Sequence, residues 1–169
     1  MIVYLMRHAE AVEAGEAACD EWRYLTEQGR TSAERTARQI SAHGRKPRLI
    51  MTSPLVRAVQ TAQIAAAYAC RRNRVVVSSL LLPNSDIDEL ITYLKSCGEA
   101  KRVMVVGHEP HLGSLAATLL ACRNPLPLKK ASCLALYLSP KDDTPATFLW
   151  YALPGKKVIT SLKKAFPAP

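Results

Sequence analysis

An α/β domain built on a mostly parallel central sheet is the fold this sequence predicts, and three observations carry that expectation. Short apolar runs alternate along the chain with longer stretches of helical character, the rhythm of βαβ units. The first run, Ile2 to Met6, is compact and carries two β-branched residues, as a strand buried on both faces does. Near the end, two apolar runs separated by a polar turn suggest a hairpin at one edge of the sheet.

Ile2 to Met6 is the first strand. Thr26 to His43 is polar with apolar residues at intervals, and Gly44 followed by Pro47 supplies a stop, so a surface helix is expected there. Arg48 to Thr52 reads as the second strand. Ser53-Pro54 then offers a capping hydroxyl beside a proline suited to a first helical turn, which predicts a helix from Pro54 to about Cys70. Val75 to Ser79 is the third strand and Asp86 to Cys97 a helix. Val103 to Val106 is the fourth strand, with a helix following from His111 to about Ala121. Cys133 to Ser139 and Thr147 to Leu153 form the closing hairpin across the turn Pro140 to Pro145. Gly155 to Pro169 is basic and ends in proline, the pattern of a short packed element with a frayed tail. No internal repeat or low-complexity linker divides the chain, and its length suits one domain over residues 1–169.

With 49% hydrophobic and 22% charged residues, the composition is that of a folded globular protein rather than a disordered or fibrous one. No apolar run approaches the ~20 residues that cross a bilayer. Arg7 and His8 follow the first apolar run at once, so neither a signal peptide nor a membrane anchor is expected. The five cysteines are dispersed and form no C-x-x-C pair or Cys/His cluster, which points to free thiols in a reducing cytoplasm. Lysine and arginine outnumber aspartate and glutamate by 23 to 14, so the surface should attract phosphates, acidic proteins or nucleic acid, without choosing among them.

The residues with chemical potential sit after predicted strands, where open parallel sheets bind ligands. Arg7-His8-Ala9 follows the first. Ser53-Pro54-Leu55-Val56-Arg57-Ala58 follows the second and places Arg57 near a helix start whose amides can also meet an anion. Val106-Gly107-His108-Glu109-Pro110 closes the fourth. Three strand ends thus offer His8, His108, Arg7 and Arg57.

Those motifs in that order resemble the histidine phosphatase superfamily: Leu5-Met6-Arg7-His8-Ala9-Glu10, Ser53-Pro54 with Arg57-Ala58 and Gln60-Thr61-Ala62, and Val106-Gly107-His108. The short length, the Arg-His-Ala-Glu-Ala opening and Leu25-Thr26-Glu27-Gln28-Gly29 look most like its small SixA-type phosphohistidine phosphatases. The resemblance implies a three-layer α/β/α, phosphoglycerate mutase-like domain without a large cap insertion and a shallow, open pocket. It implies that His8 takes the phosphoryl group while Arg7, Arg57 and His108 surround its oxygens, with no metal or organic cofactor. A neutral imidazole is a competent nucleophile near neutral pH, and guanidinium groups match phosphate oxygens with paired donors. The superfamily's usual glycine is replaced by Ala9, which fits if the backbone there needs no positive φ.

Two carboxylates are candidates for a proton donor. Glu109 occupies the acid's position in the branch that includes phytases, and Glu10 follows the nucleophile motif; either can equally be a capping or solvated group, and a donor can be absent. Asp86, Asp88 and Glu89 are expected only to favour a helix N-terminus. His111 either lines the pocket or points outward, and His43 is assigned to the surface. A weak or absent acid favours phosphohistidine, whose imidazole can leave already protonated, over an alkyl ester. The expected partners are a phosphorylated protein such as a phosphohistidine domain, and inorganic phosphate, with no membrane or nucleic acid. The alternatives are a small-molecule phosphomonoesterase or mutase, a binding-only relative, and a nucleic-acid-binding module using a stripe of Arg71, Arg72, Arg74, Lys156, Lys157, Lys163 and Lys164.

Overall fold

The computed structural model describes residues 1–70, 74–97, 100–139 and 144–167. Six strands form one sheet: β1 (Ile2–Arg7), β2 (Leu49–Thr52), β3 (Val75–Val77), β4 (Arg102–Gly107), β5 (Cys133–Tyr137) and β6 (Thr147–Ala152). Their order is β3-β2-β4-β1-β5-β6. The first four in that row are parallel, and β5 and β6 close the sheet antiparallel, as the hairpin pattern implies. Helices α1 (Glu27–His43), α2 (Val56–Ala69), α3 (Ile87–Ser96), α4 (His111–Leu120) and α5 (Leu162–Ala165) complete the chain.

Period-two alternation in β1 sends successive side chains into two separate cores. Tyr4 and Met6 meet Ile50, Met104 and the small residues Ala33, Ala37, Ala58, Ala62 and Ala65 of α1 and α2. Val3 and Leu5 meet Val103, Val105 and the leucines Leu90, Leu94, Leu112 and Leu115 of α3 and α4. Helices therefore cover both faces, giving the α/β/α layering, and strands buried twice over read as unbroken apolar runs. Truncating a fully buried leucine such as Leu115 to alanine removes about 2–5 kcal/mol.

Helix starts follow side-chain chemistry. Thr26 Oγ1 accepts from the Gly29 amide to cap α1, and Asp86 Oδ1 accepts from the Asp88 and Glu89 amides to cap α3. Asp86 thus lies at a helix N-terminus, as expected, and is its cap. The start of α2 departs from expectation: it opens at Val56, with Leu55 as an uncapped N-terminal flank. The Ser53 hydroxyl accepts from the Leu55 amide and also meets His108, described below, and Pro54 falls in the turn before the helix. The third strand also stops at Val77, because Ser78 caps a 3-10 turn over Ser79–Leu81 instead of extending the ladder. Of the expected turn at 140–145, Pro140 to Asp143 lie outside the described residues, as do Ala168 and Pro169 of the tail. Among the described residues, no helix is long and apolar enough to cross a membrane.

Register is what positions the site. Arg7 of β1 lies beside Gly107 of β4, and Thr52 of β2 lies beside Val106. Three parallel strands consequently end level, so the residues that follow them, His8, Ser53 and His108, emerge side by side at the carboxyl end of the sheet.

Candidate active site

His8 is held by main chain on both sides. Its amide donates to the Gly107 carbonyl at 2.9 Å and its carbonyl accepts from Ala131, which adopts φ 58° to make that bond. The ring Nδ1 lies 2.7 Å from the Ala9 carbonyl. A carbonyl only accepts, so Nδ1 carries the proton and Nε2 keeps its lone pair. Burial lowers the His8 pKa to about 4, against the raising effect of the Ala9 bond, with Arg57, Arg7 and Lys130 adding repulsion. The ring is neutral and nucleophilic at pH 7.

The Ala9 amide donates to Thr61 Oγ1, which in turn donates to the Arg57 carbonyl one helical turn earlier. Ala9 is fully buried and is not among the residues of positive φ, so alanine satisfies the local backbone where glycine is usual. The Thr26 and Leu25 amides fasten the next strand of loop, donating to the Glu10 carbonyl and to Gln60 Oε1. Gly29 sits so close that a Cβ would lie 2.0 Å from the Glu10 carbonyl oxygen, which explains a glycine at that point of the Leu-Thr-Glu-Gln-Gly stretch. Glu10 turns its carboxylate toward Thr26 Oγ1 at 3.4 Å.

His108 packs against His8 with ring centroids 4.9 Å apart. Its Nε2 is 2.8 Å from Ser53 Oγ, and the same oxygen accepts from the Leu55 amide. A hydroxyl both donates and accepts, so this contact is made with either neutral tautomer of His108, and the other ring nitrogen, Nδ1, is a buried atom with no protein partner. Burial, with His8 and Arg57 nearby, lowers the His108 pKa to about 3. In the unliganded pocket His108 is therefore a neutral ring. Ser53, read from the sequence as a helix cap, is its orienting group.

Arg7 donates from Nη1 to the Leu128 carbonyl at 2.8 Å, and its Nε is buried without a protein partner. Arg57 is buried at 6% exposure, with Nη1 donating to the Asp20 carbonyl at 2.7 Å and Nη2 to Asp20 Oδ2 at 3.0 Å. The charge of Lys130 reaches His8 from the turn before β5. Asp20 and Lys130 were not singled out from the sequence. Asp20 lies in an exposed 3-10 turn with no regular spacing, and the only signal for Lys130 is the Lys129-Lys130 pair after a proline-containing stretch.

Glu109 is half-buried, and desolvation raises its carboxyl pKa although the Leu128 and Gly113 amides and Arg7 favour its charge. One oxygen faces Gly113, where a Cβ would approach it to 2.7 Å. The carboxylate thus braces the start of α4. His111 is 4% exposed, so it does not point outward, and burial lowers its pKa. His43 is exposed and meets the Trp150 ring edge-on. Among the described residues the nucleic-acid stripe is not formed: Arg74 precedes β3 at one sheet edge while Lys156, Lys157, Lys163 and Lys164 follow β6 at the other; Arg71 and Arg72 lie outside the described residues.

The sequence profile of the histidine phosphatase superfamily, branch 1, matches residues 3–76. An uncharacterized protein of Picosynechococcus sp. strain PCC 7002 is 32% identical over 140 residues, 80% of this chain and 84% of that one. Phosphohistidine phosphatase SixA of Escherichia coli K12 is 28% identical over 156 residues, 91% of this chain and 94% of that one. A solved structure of the protein histidine phosphatase SixA complexed with tungstate superposes with a TM-score of 0.83 at 26% identity, covering 91% of this chain and 97% of that chain. With sequence likeness running along most of the chain and the fold shared throughout, the chain belongs to the histidine phosphatase superfamily and is a phosphatase of that superfamily.

Proposed function

We propose that the chain removes phosphate from a phosphohistidine side chain of a cytoplasmic protein, through a phospho-His8 intermediate, as one domain spanning residues 1–169. The observation that carries this reading is the His8 ring. Its Nδ1 is tied to the Ala9 carbonyl, and its Nε2 lone pair is the free nucleophile among Arg7, Arg57 and His108. In the first step Nε2 bonds to phosphorus as the substrate's P–N bond breaks, and the substrate imidazole departs with the proton its ring already carried. Water then attacks phosphorus, the bond to His8 breaks, and phosphate leaves. Arg7 and Arg57 stabilise the equatorial oxygens in both steps, with the neutral His108 ring beside them.

Likeness to SixA over nearly the whole of both chains supports a pocket without a large cap, open enough for a protein side chain. The bracing of α4 by Glu109 also suits a substrate that needs no strong acid. An ester-cleaving phosphatase is the second reading, favoured by the place of Glu109, a half-buried carboxyl directly after His108 whose pKa desolvation raises. Phosphate release by wild type and His8→Ala, from a phosphohistidine protein and a simple phosphate ester side by side, separates them. Faster clearance of phosphohistidine by wild type and none by the variant is expected. Preference for the ester reassigns the substrate, and near-normal activity of His8→Ala refutes the intermediate.

A further inference from the structure

The proposed reaction needs Arg57 to meet phosphoryl oxygens in one orientation, and the turn at Asp20–Trp22 contains what would set it. Asp20 grips Arg57 twice, with its main-chain carbonyl on Nη1 and its carboxylate on Nη2. Its other carboxylate oxygen accepts from Arg23 Nη1 at 3.0 Å. The Arg23 hydrogen bond, together with the one from Arg57 Nη2, holds the Asp20 carboxyl below the usual carboxylate range, so it is charged.

A carboxylate on a pocket arginine can be a plug, standing where phosphate will go, or a clamp. A plug leaves when its side chain rotates. Here half the grip is a main-chain carbonyl, which cannot leave unless the turn moves, and the turn is anchored. Arg23 Nε donates to the Val12 carbonyl at 2.7 Å, the Val12 amide donates to the Tyr24 carbonyl at 3.0 Å, and Ala11 pairs with Leu25. A guanidinium has five N–H donors, and Asp20 takes two, which leaves three for an oxyanion.

We propose that Asp20 is a positioning residue of the phosphate pocket, clamping the Arg57 guanidinium so that its remaining donors face the phosphoryl group. The inference rests on the His8 reaction proposed above. Charge and geometry make opposite demands on it. Deleting a negative charge beside the pocket strengthens anion binding if only the field matters. Loosening Arg57 weakens it.

The test uses the full chain with orthovanadate as the probe, together with kcat and KM for phosphohistidine cleavage and a melting curve for each variant. Asp20→Ala should bind orthovanadate about tenfold more weakly and lose a similar factor in kcat. Asp20→Asn keeps the main-chain carbonyl and an oxygen acceptor and should retain most of both. Asp20→Glu keeps the charge but misplaces it, and should resemble Asp20→Ala. Should Asp20→Ala fail to fold, the contrast between Asp20→Glu and Asp20→Asn decides. In an Arg57→Ala background, Asp20→Ala should add little. Vanadate binding that depends on Arg57 but is unchanged or tighter in Asp20→Ala and Asp20→Glu overturns the clamp alone. Wild type that binds no orthovanadate, or binds it equally well as Arg57→Ala, overturns the reaction on which it rests.

Discussion

The two ends of the parallel strands carry similar charge and differ in how it is held. At the amino end, a cleft of ≈ 510 Å³ is lined by Arg45, Lys46, Arg48 and Arg102, beside a larger one of ≈ 790 Å³ that shares Arg45 and Arg102. Arg45 and Lys46 are exposed, and Arg102 donates from Nε to the Lys46 carbonyl. At the carboxyl end, about 20 Å away along β1, Arg57 is buried against Asp20, Arg7 is tied to Leu128, and each histidine ring is oriented by one oxygen. Positive charge attracts anions at both ends. Donors fixed before the reaction begins stabilise its transition state most, because nothing must then reorganise. The site is marked by preorganisation, and the net charge of +9 does not locate it.

The sharpest way to break this comparison is to remove cations from each end separately. Arg57→Ala should lower kcat/KM for phosphohistidine cleavage by roughly 10²–10³-fold. Arg45→Ala combined with Lys46→Ala should change it by about twofold at most, since exposed charges act mainly through a screened field. Equal losses would show that field, not fixed geometry, drives the chemistry. Ser53→Ala tests orientation without touching charge: with its Nε2 partner gone, His108 can rotate, and kcat should drop on the order of tenfold with KM nearly unchanged.

The smallest expected effect is in pH dependence. His8 and His108 titrate near 4 and 3 in the fold, against 6.5 ordinarily. The unfolded chain therefore binds more protons between about pH 6.5 and 4. Stability from these histidines is complete above about 6.5 and falls as pH drops through that window. Melting temperatures should decline across it, less steeply in His108→Ala than in wild type.

Much of this was legible in sequence because strand burial and strand ends leave local marks. The runs Ile2–Met6 and Val103–Val106 are unbroken apolar segments, and the polar residues that stop them are the ones at the site. Asp86, Asp88 and Glu89 were readable as residues of a helix start because an acidic cluster there answers a local field. What escaped depends on distance in sequence. Ser53 has the pattern of a helix cap, yet its hydroxyl also meets a histidine 55 residues on, which no local pattern marks. Asp20 reaches Arg57 across 37 residues from a turn with no periodicity. The carbonyls of Leu128 and Ala9 belong to the main chain and leave no trace in residue identity. The neutrality of His108 comes from burial, which spacing does not report.

The bond between His8 Nδ1 and the Ala9 carbonyl also decides regiochemistry. An imidazole can be phosphorylated at either nitrogen, giving two isomers of different chemical lability. In the proposed reaction only Nε2 is open, so the adduct on His8 is a single isomer with phosphorus on the nitrogen remote from the main chain. The nearer nitrogen keeps its proton against the carbonyl throughout, so the ring that received the group can part from it without first turning over.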